Sequence, residues 1–331
     1  MKDKKRKLQI SGNALVLVIA IVLIVAIFSS INKNFFSYAN LINVLVSSVS
    51  IGLTAIGMTF LIMIGGVDLS AGAVAAMSGV FIAWALQATS IHWTVLALVT
   101  LAGAAVTGLL NALMVIRLRI VPFIATLASQ FVWQGAAYLI CKGTPIPVKD
   151  AGLQAFAKGR IFGNNGIPWI VIMALVFFLI FSYVLTKTKF GRSVFAIGGN
   201  GEAARLAGIN SNRVKVICYV MTSAFAGLAG IILSGRMNAG NPAANESLQF
   251  DAIIAANLAG VSMEGGVGSI PAVILGVCLV QAFNSGLNMA QISPYWQFVA
   301  RGMLLLASLS IDFFRQRARE RKLLADSMRN L

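Results

Sequence analysis

One histidine, three cysteines and ten carboxylates are all that this 331-residue chain holds for acid–base, nucleophilic or metal chemistry. His92 alone leaves little proton-transfer capacity near neutral pH and excludes a multi-histidine metal site within one chain. Cys141, Cys218 and Cys278 are far apart, with no metal or redox spacing between them; Cys218 and Cys278 lie in apolar runs and read as packing residues. The chain has no Gly-Lys dipeptide and therefore no phosphate-cradling Gly-x-x-x-x-Gly-Lys-Ser/Thr loop, so any ATP used must bind on another subunit. No metal and no cofactor is expected in this chain.

The residues that remain can bind, cap or orient. Asp68 stands in the glycine turn Gly65-Gly66-Val67-Asp68 and Glu264 in a second, Glu264-Gly265-Gly266. A carboxylate at such a place either caps the free N–H groups of the next helix or touches a solute. Asn284, Asn288 and Gln297 are amides within apolar surroundings. They can hydrogen-bond hydroxyl groups in a translocation path, or one another across helices. Arg301 lies part-way into an apolar run, where a charge must face a polar interior, another chain or an interface, or else snorkel to headgroups.

The elements that position these residues are membrane helices. Hydrophobic residues make up 58% of the chain and charged ones 11%, against roughly 25% charged in a soluble domain. The mean hydropathy is +0.86. Several stretches approach the roughly 20 apolar residues that carry a helix across a bilayer, and nothing shows the alternating ten-residue pattern of a membrane barrel. Net charge is +16, but the basic residues cluster at helix ends, as orientation in a bilayer requires, and not as a nucleic-acid surface. The basic N-terminus resembles a signal peptide without a convincing cleavage site and reads as an uncleaved first span.

Placing Lys2 to Lys7, Arg117 with Arg119, Lys187 to Lys215 and Arg315 to Arg329 in the cytoplasm predicts an all-α polytopic bundle of about ten transmembrane helices with both termini inside. The expected organisation is a basic tail over 1–12, a transmembrane domain over 13–312 with a cytoplasmic segment at 187–213, and a second basic tail over 313–331. After an outer loop with Asn241-Pro242, span eight is expected to descend to about Val261. The two glycine turns fall at cytoplasmic ends, and with Asp312 they put Asp68 and Glu264 near membrane edges. The likeness of GGVDLS to GGVGSI hints at a duplication, and paired glycine interruptions point to a transport path or simply to tight turns. Small residues on span seven, among them Ser223, Gly227 and Gly230, allow close helix packing.

Residues 198–210, GGNGEAARLAGIN, predict a helix of about two turns: Asn200-Gly201 as entry, Glu202 against the dipole, Ala203 to Ala207 as helix formers and Gly208 at its end. So short a helix needs something to pack against, either its own bundle or a partner. Small Ala203, Ala204 and Gly208 would let a partner approach, with Leu206 as an apolar anchor.

Glu202-Ala203-Ala204-x-x-x-Gly208 resembles the signature of permease subunits of ATP-binding-cassette importers. GMTFLIMIGGVDLSAGAVAAMSG (57–79), GRSVFAIGGNGEAARLAGIN (191–210), LAGVSMEGGVGSIPAVILG (258–276), FNSGLN (283–288) and Tyr295-Trp296-Gln297 resemble, in order, segments of the ribose-type sugar permeases. The chain departs from older signatures in lacking Leu-Pro after the loop, as the sugar branch does, and in having Ala259-Gly260 where many relatives have Gly-Gly. The resemblance implies a bacterial inner-membrane, multi-pass permease, itself not an enzyme, for a small sugar. It implies a coupling helix at Glu202, Ala203, Ala204, Arg205, Leu206 and Gly208, and glycine turns Gly65, Gly66, Asp68, Gly265 and Gly266 near the path. It also implies a separate ATPase subunit carrying ATP and Mg, an extracytoplasmic sugar-binding protein and a second permease copy or homologue. Permeases for nucleosides, sugar-like signals or branched-chain amino acids share the pattern. A proton- or sodium-coupled transporter is the alternative from another class, disfavoured by carboxylates at membrane edges.

Overall fold

The computed structural model describes residues 2–163 and 166–328; Met1, Asn164 and Asn165 in the long outer loop, and the end of the basic C-terminal stretch including Arg329 lie outside the described residues. The helices are α1 (Lys2–Ile31), α2 (Tyr38–Met63), α3 (Ala71–Ala88), α4 (Trp93–Ile116), α5 (Pro122–Cys141), α6 (Ala151–Lys158), α7 (Trp169–Lys187), α8 (Lys189–Gly199), α9 (Gly201–Leu206), α10 (Ser211–Met237), α11 (Leu248–Leu258), α12 (Ile270–Met289) and α13 (Pro294–Met328). Among the described residues nine are long and apolar enough to cross a membrane: α1 to α5, α7, α10, α12 and α13. The chain is an all-α polytopic membrane bundle. The only strands among the described residues are two-residue pairings at the loops: β1 (Ile146–Pro147) against β4 (Ala239–Gly240), and β2 (Arg160–Ile161) against β3 (Ile167–Pro168), both antiparallel.

The bundle is built around α2. Every residue of α2 from Ser48 to Met63 is buried, and α10, α7, α11 and α12 pack on it. The outer helices show large apolar side chains instead: Leu98 on α4, Phe131 and Leu139 on α5, Met303 and Leu306 on α13 are all exposed. Apolar residues both inside and outside mark a bundle whose solvent is lipid.

Backbone-to-backbone approach sets the packing of α10. The small face expected there meets α3 and α4: a Cβ on Gly227 would lie against Ala104 and Ser78, and one on Gly230 would collide with the Ala75 carbonyl. The partners are small as well. Gly57 of α2 faces Thr222, and Gly108 of α4 faces Tyr219 and Val220. Without a hydrophobic force between helices in lipid, such contact surfaces carry the association through dispersion and shape.

Span eight is corrected to a helix too short to cross a membrane. Asn238 ends α10 in the left-handed conformation (φ 55°), β4 follows, and the chain returns beside α3 without helical structure. Gly240 lies against Gly79 and Val80, and Asn245 and Gln249 against Gly72, so residues 240–249 retrace α3 towards its start. Only then does α11 form. Its 11 residues reach about 16 Å, roughly half a bilayer core. Irregular backbone at this depth is tolerated because protein surrounds it.

Candidate functional site

Three successive caps break the chain between α7 and α10. The Thr188 hydroxyl accepts from Gly191 N (3.2 Å), the Asn200 amide oxygen from Ala203 N (3.0 Å) and the Asn210 amide oxygen from Arg213 N (3.0 Å). Each satisfies a free N–H group and starts a new helix, giving α8, α9 and α10. α9 ends in a Schellman motif: Gly208 N donates to Arg205 O (3.0 Å), Ile209 N to Ala204 O (3.0 Å), and Gly208 takes φ +80°. α8, an amphipathic helix ahead of the expected one, was missed; Thr188 before an alternation of basic and apolar residues is the signal that marks it.

On α9, Glu202, Ala203, Arg205, Leu206 and Gly208 are exposed, and Glu202 pairs with Arg205 at 3.1 Å. Leu206 is 82% exposed at the tip of a helix of which one apolar residue faces inward. Ala204 is that residue. It is buried in the main core and anchors α9 to its own bundle, leaving Ala203, Leu206 and Gly208 exposed.

Both glycine turns lie at the end of α2. Gly65 and Gly66 follow its end, with Gly65 at φ +74°. Gly265 and Gly266 (φ +94° and +70°) lie in the link from α11 to α12, and Gly266 N donates to Met63 O at 2.9 Å. Met263 N of the same link donates to the Asp312 carboxylate of α13 (3.1 Å), and Arg315 reaches the Leu258 carbonyl at the end of α11 (3.4 Å).

Asp68 does not sit at an edge. It is fully buried, and it accepts from Ser70 N (2.9 Å), Ser70 Oγ (2.5 Å), Asn111 Nδ2 of α4 (3.4 Å) and Ser223 Oγ of α10 (3.3 Å). The reason is that α3 begins inside the bundle, so the segment from Gly65 to Ser70 climbs back between α4, α5 and α10. The capping expected of Asp68 is not made: it accepts from Ser70 and from side chains of α4 and α10, a tie between helices, and from none of the free N–H groups of the first turn of α3.

The amides divide. Asn288 accepts from Gln297 Nε2 (3.1 Å), which also reaches Ile292 O, and this pair closes the turn from α12 to α13. Asn284 is buried and donates to Asp251 Oδ2 of α11 (3.4 Å), while Arg301 of α13 donates to Ser247 Oγ (2.6 Å) at the start of α11. Arg301 thus faces a polar interior. Asp251 Oδ1, Asn284 Oδ1 and Arg301 Nε are buried with no hydrogen-bond partner among the described residues. A cluster of this kind, at the N-terminus of a half-helix in a broken span, is able to bind hydroxyl groups through paired acceptors and donors. The sequence reading missed Ser247 and Asp251; an Asp four residues after Asn-Glu-Ser, inside what reads as an apolar helix, is the signal.

At the opposite end of the bundle, a cavity of about 430 Å³ is lined by Asn43, Val46, Lys158, Arg160, Pro168 and Arg236, among others. Arg236 is fixed there by Val46 O (3.2 Å) and Ser47 Oγ (3.3 Å).

Residues 40–309 match the family described as "Branched-chain amino acid transport system / permease component". The chain is 36% identical over 292 residues to the ribose import permease protein of Bacillus subtilis (strain 168), covering 88% of this chain and 89% of that one. It is 34% identical over 302 residues to the ribose import permease protein of Escherichia coli (strain K12), covering 89% and 92%. It is 35% identical over 289 residues to the L-arabinose transport system permease protein of the same strain, covering 86% of each. With its broken span, its buried polar cluster and its exposed short helix, the chain belongs to the family of importer permease components that includes the ribose and L-arabinose permeases.

Proposed function

We propose that this chain is the membrane permease of an ATP-driven, binding-protein-dependent importer of a small sugar of the ribose or arabinose kind, in a bacterial inner membrane. The similarity to ribose and L-arabinose permeases over nearly the whole chain carries this reading. The end bearing α8, α9 and Arg117 faces the cytoplasm, as do both termini and their basic tails, by the positive-inside rule. α9 docks into a separate ATPase subunit that holds ATP and Mg, with Leu206 as the anchor. The opposite end receives the extracytoplasmic sugar-binding protein; the basic cavity of Lys158, Arg160 and Arg236 supports that face by offering charge complementary to acidic side chains. Two permease copies, or this chain with a homologue, enclose the path.

In this mechanism the chain makes no covalent bond. ATP binding brings the ATPase subunits together, α9 moves with them, and the bundle changes which end of the path is open. The glycine turns and the polar cluster at the break in span eight, with Asn284 at its centre, lie along the path. A secondary transporter needs a carboxylate that exchanges protons or ions during transport. Asp68 with its four donors is poorly suited to that, and family membership favours ATP as the energy source. Copurification tests the proposal: the tagged chain, extracted in mild detergent, brings with it a P-loop ATPase, and Leu206→Asp releases that ATPase while the permease keeps its elution volume and melting temperature. A permease that comes out alone under several gentle extractions contradicts the reading.

A further inference from the structure

The segment of α8 and α9 meets α2 and the link from α11 to α12 at a point where no side chain fits. Gly198, the last but one residue of α8, stands two residues before Asn200, the cap of α9. A Cβ built on Gly198 would collide with Met63 O and Gly266 N. From the other side, a Cβ on Gly266 would lie 3.0 Å from Gly198 C, and one on Gly265 would lie 3.1 Å from Gly198 Cα and 2.8 Å from Met63 O. All three obstacles are backbone, which cannot swing aside as a side chain does. Gly266 N also donates to Met63 O at 2.9 Å. Three pieces of backbone thus meet in one joint: the end of α8, the end of α2, and the link between α11 and α12.

The joint leads to the elements that matter for a path. α2 is the centre of the bundle, and α11 and α12 carry Asp251 and Asn284. Asp312 holds the far side of the same link through Met263 N. A displacement of α9 therefore reaches α2 and the broken span together, through a contact with no compliant side chain in it. Gly199, next in sequence, is different: a Cβ there meets nothing within 4 Å.

We propose that Gly198 is the positioning residue of coupling, transmitting motion of α9 to α2 and to the α11–α12 link through glycine-on-glycine contact with Gly265 and Gly266. This rests on the reading of α9 as the coupling helix. The test uses the complete complex of permease, ATPase and binding protein in proteoliposomes, with ribose and L-arabinose as probes, and compares Gly198→Ala with Gly199→Ala. Each variant is read for assembly, melting temperature, basal ATP hydrolysis and its stimulation by sugar-loaded binding protein. Gly198→Ala is expected to assemble and hydrolyse ATP at the basal rate but to lose stimulation by about tenfold, a typical coupling effect. Gly199→Ala is expected to match the wild type. Equal and full stimulation in both variants overturns the proposal.

Should Gly198→Ala fail to assemble, Asp312→Ala decides, because it frees the link from its far side and leaves α8 untouched. Lowered stimulation with normal assembly supports the joint, and unchanged stimulation overturns it. Leu206→Asp separates the two layers of the argument. If it leaves ATPase association and transport intact, the coupling-helix reading itself fails; if it releases the ATPase while Gly198→Ala stays fully coupled, only the joint fails.

Discussion

Asp68 collects hydrogen bonds from Ser70, Asn111 and Ser223, so three elements lose a common acceptor when its carboxylate is removed. Leaving buried donors unsatisfied costs roughly 1–3 kcal/mol for each group. Asp68→Ala is therefore expected to destabilise the permease by at least about 3 kcal/mol on that scale, and Asp68→Asn by less, since one acceptor oxygen remains. Thermal unfolding in detergent checks this; a melting temperature for Asp68→Ala equal to that of the wild type would show that the tie is not structural. Asn284 belongs to the other kind of polar residue. Asn284→Ala is expected to leave folding intact and to lower sugar uptake at fixed ATPase assembly, measured as initial rate against sugar concentration; an unchanged rate removes Asn284 from the path. Residue identity alone did not separate these kinds. Asp68 and Asn284 were visible as polar residues in apolar surroundings, but Asn111, Ser223, Ser247 and Asp251, which decide what each does, are far away in sequence, and only the fold brings them together.

At the scale of elements, the small residues of α10 carry a sharp contrast. Gly230 has the Ala75 carbonyl where a Cβ would go, whereas Gly103 on α4 has nothing within 4 Å. Gly230→Ala is expected to separate α3 from α10 and lower the melting temperature. Gly103→Ala is expected to be neutral, or stabilising by up to about 1 kcal/mol through helix propensity. Comparison of the two melting curves checks it, and a Gly103 variant as damaged as the Gly230 variant contradicts the packing described. Most spans were legible in the sequence because apolar length and a few punctuating residues define them: Pro122 opens α5, Asn200 opens α9 and Gly208 closes it. α8 had only Thr188 and its pattern to announce it, and the course of residues 240–249 along α3 was not legible: Gly72 and Gly79 receive that segment, and no local pattern in it says so.

For the whole molecule, the arrangement joins an exposed helix at one end, a glycine joint behind it, a broken span with a polar cluster inside, and a basic cavity at the other end. Each part has the place a binding-protein-dependent permease requires, and none supplies an energy source of its own. The most direct test is transport by the reconstituted complex. Proteoliposomes holding permease and ATPase, with the sugar-binding protein outside and ATP inside, are given labelled ribose or L-arabinose. The account predicts uptake that needs both ATP and the binding protein and that continues when a protonophore collapses the proton gradient. Uptake by the permease alone, independent of ATP and abolished by the protonophore, would contradict it.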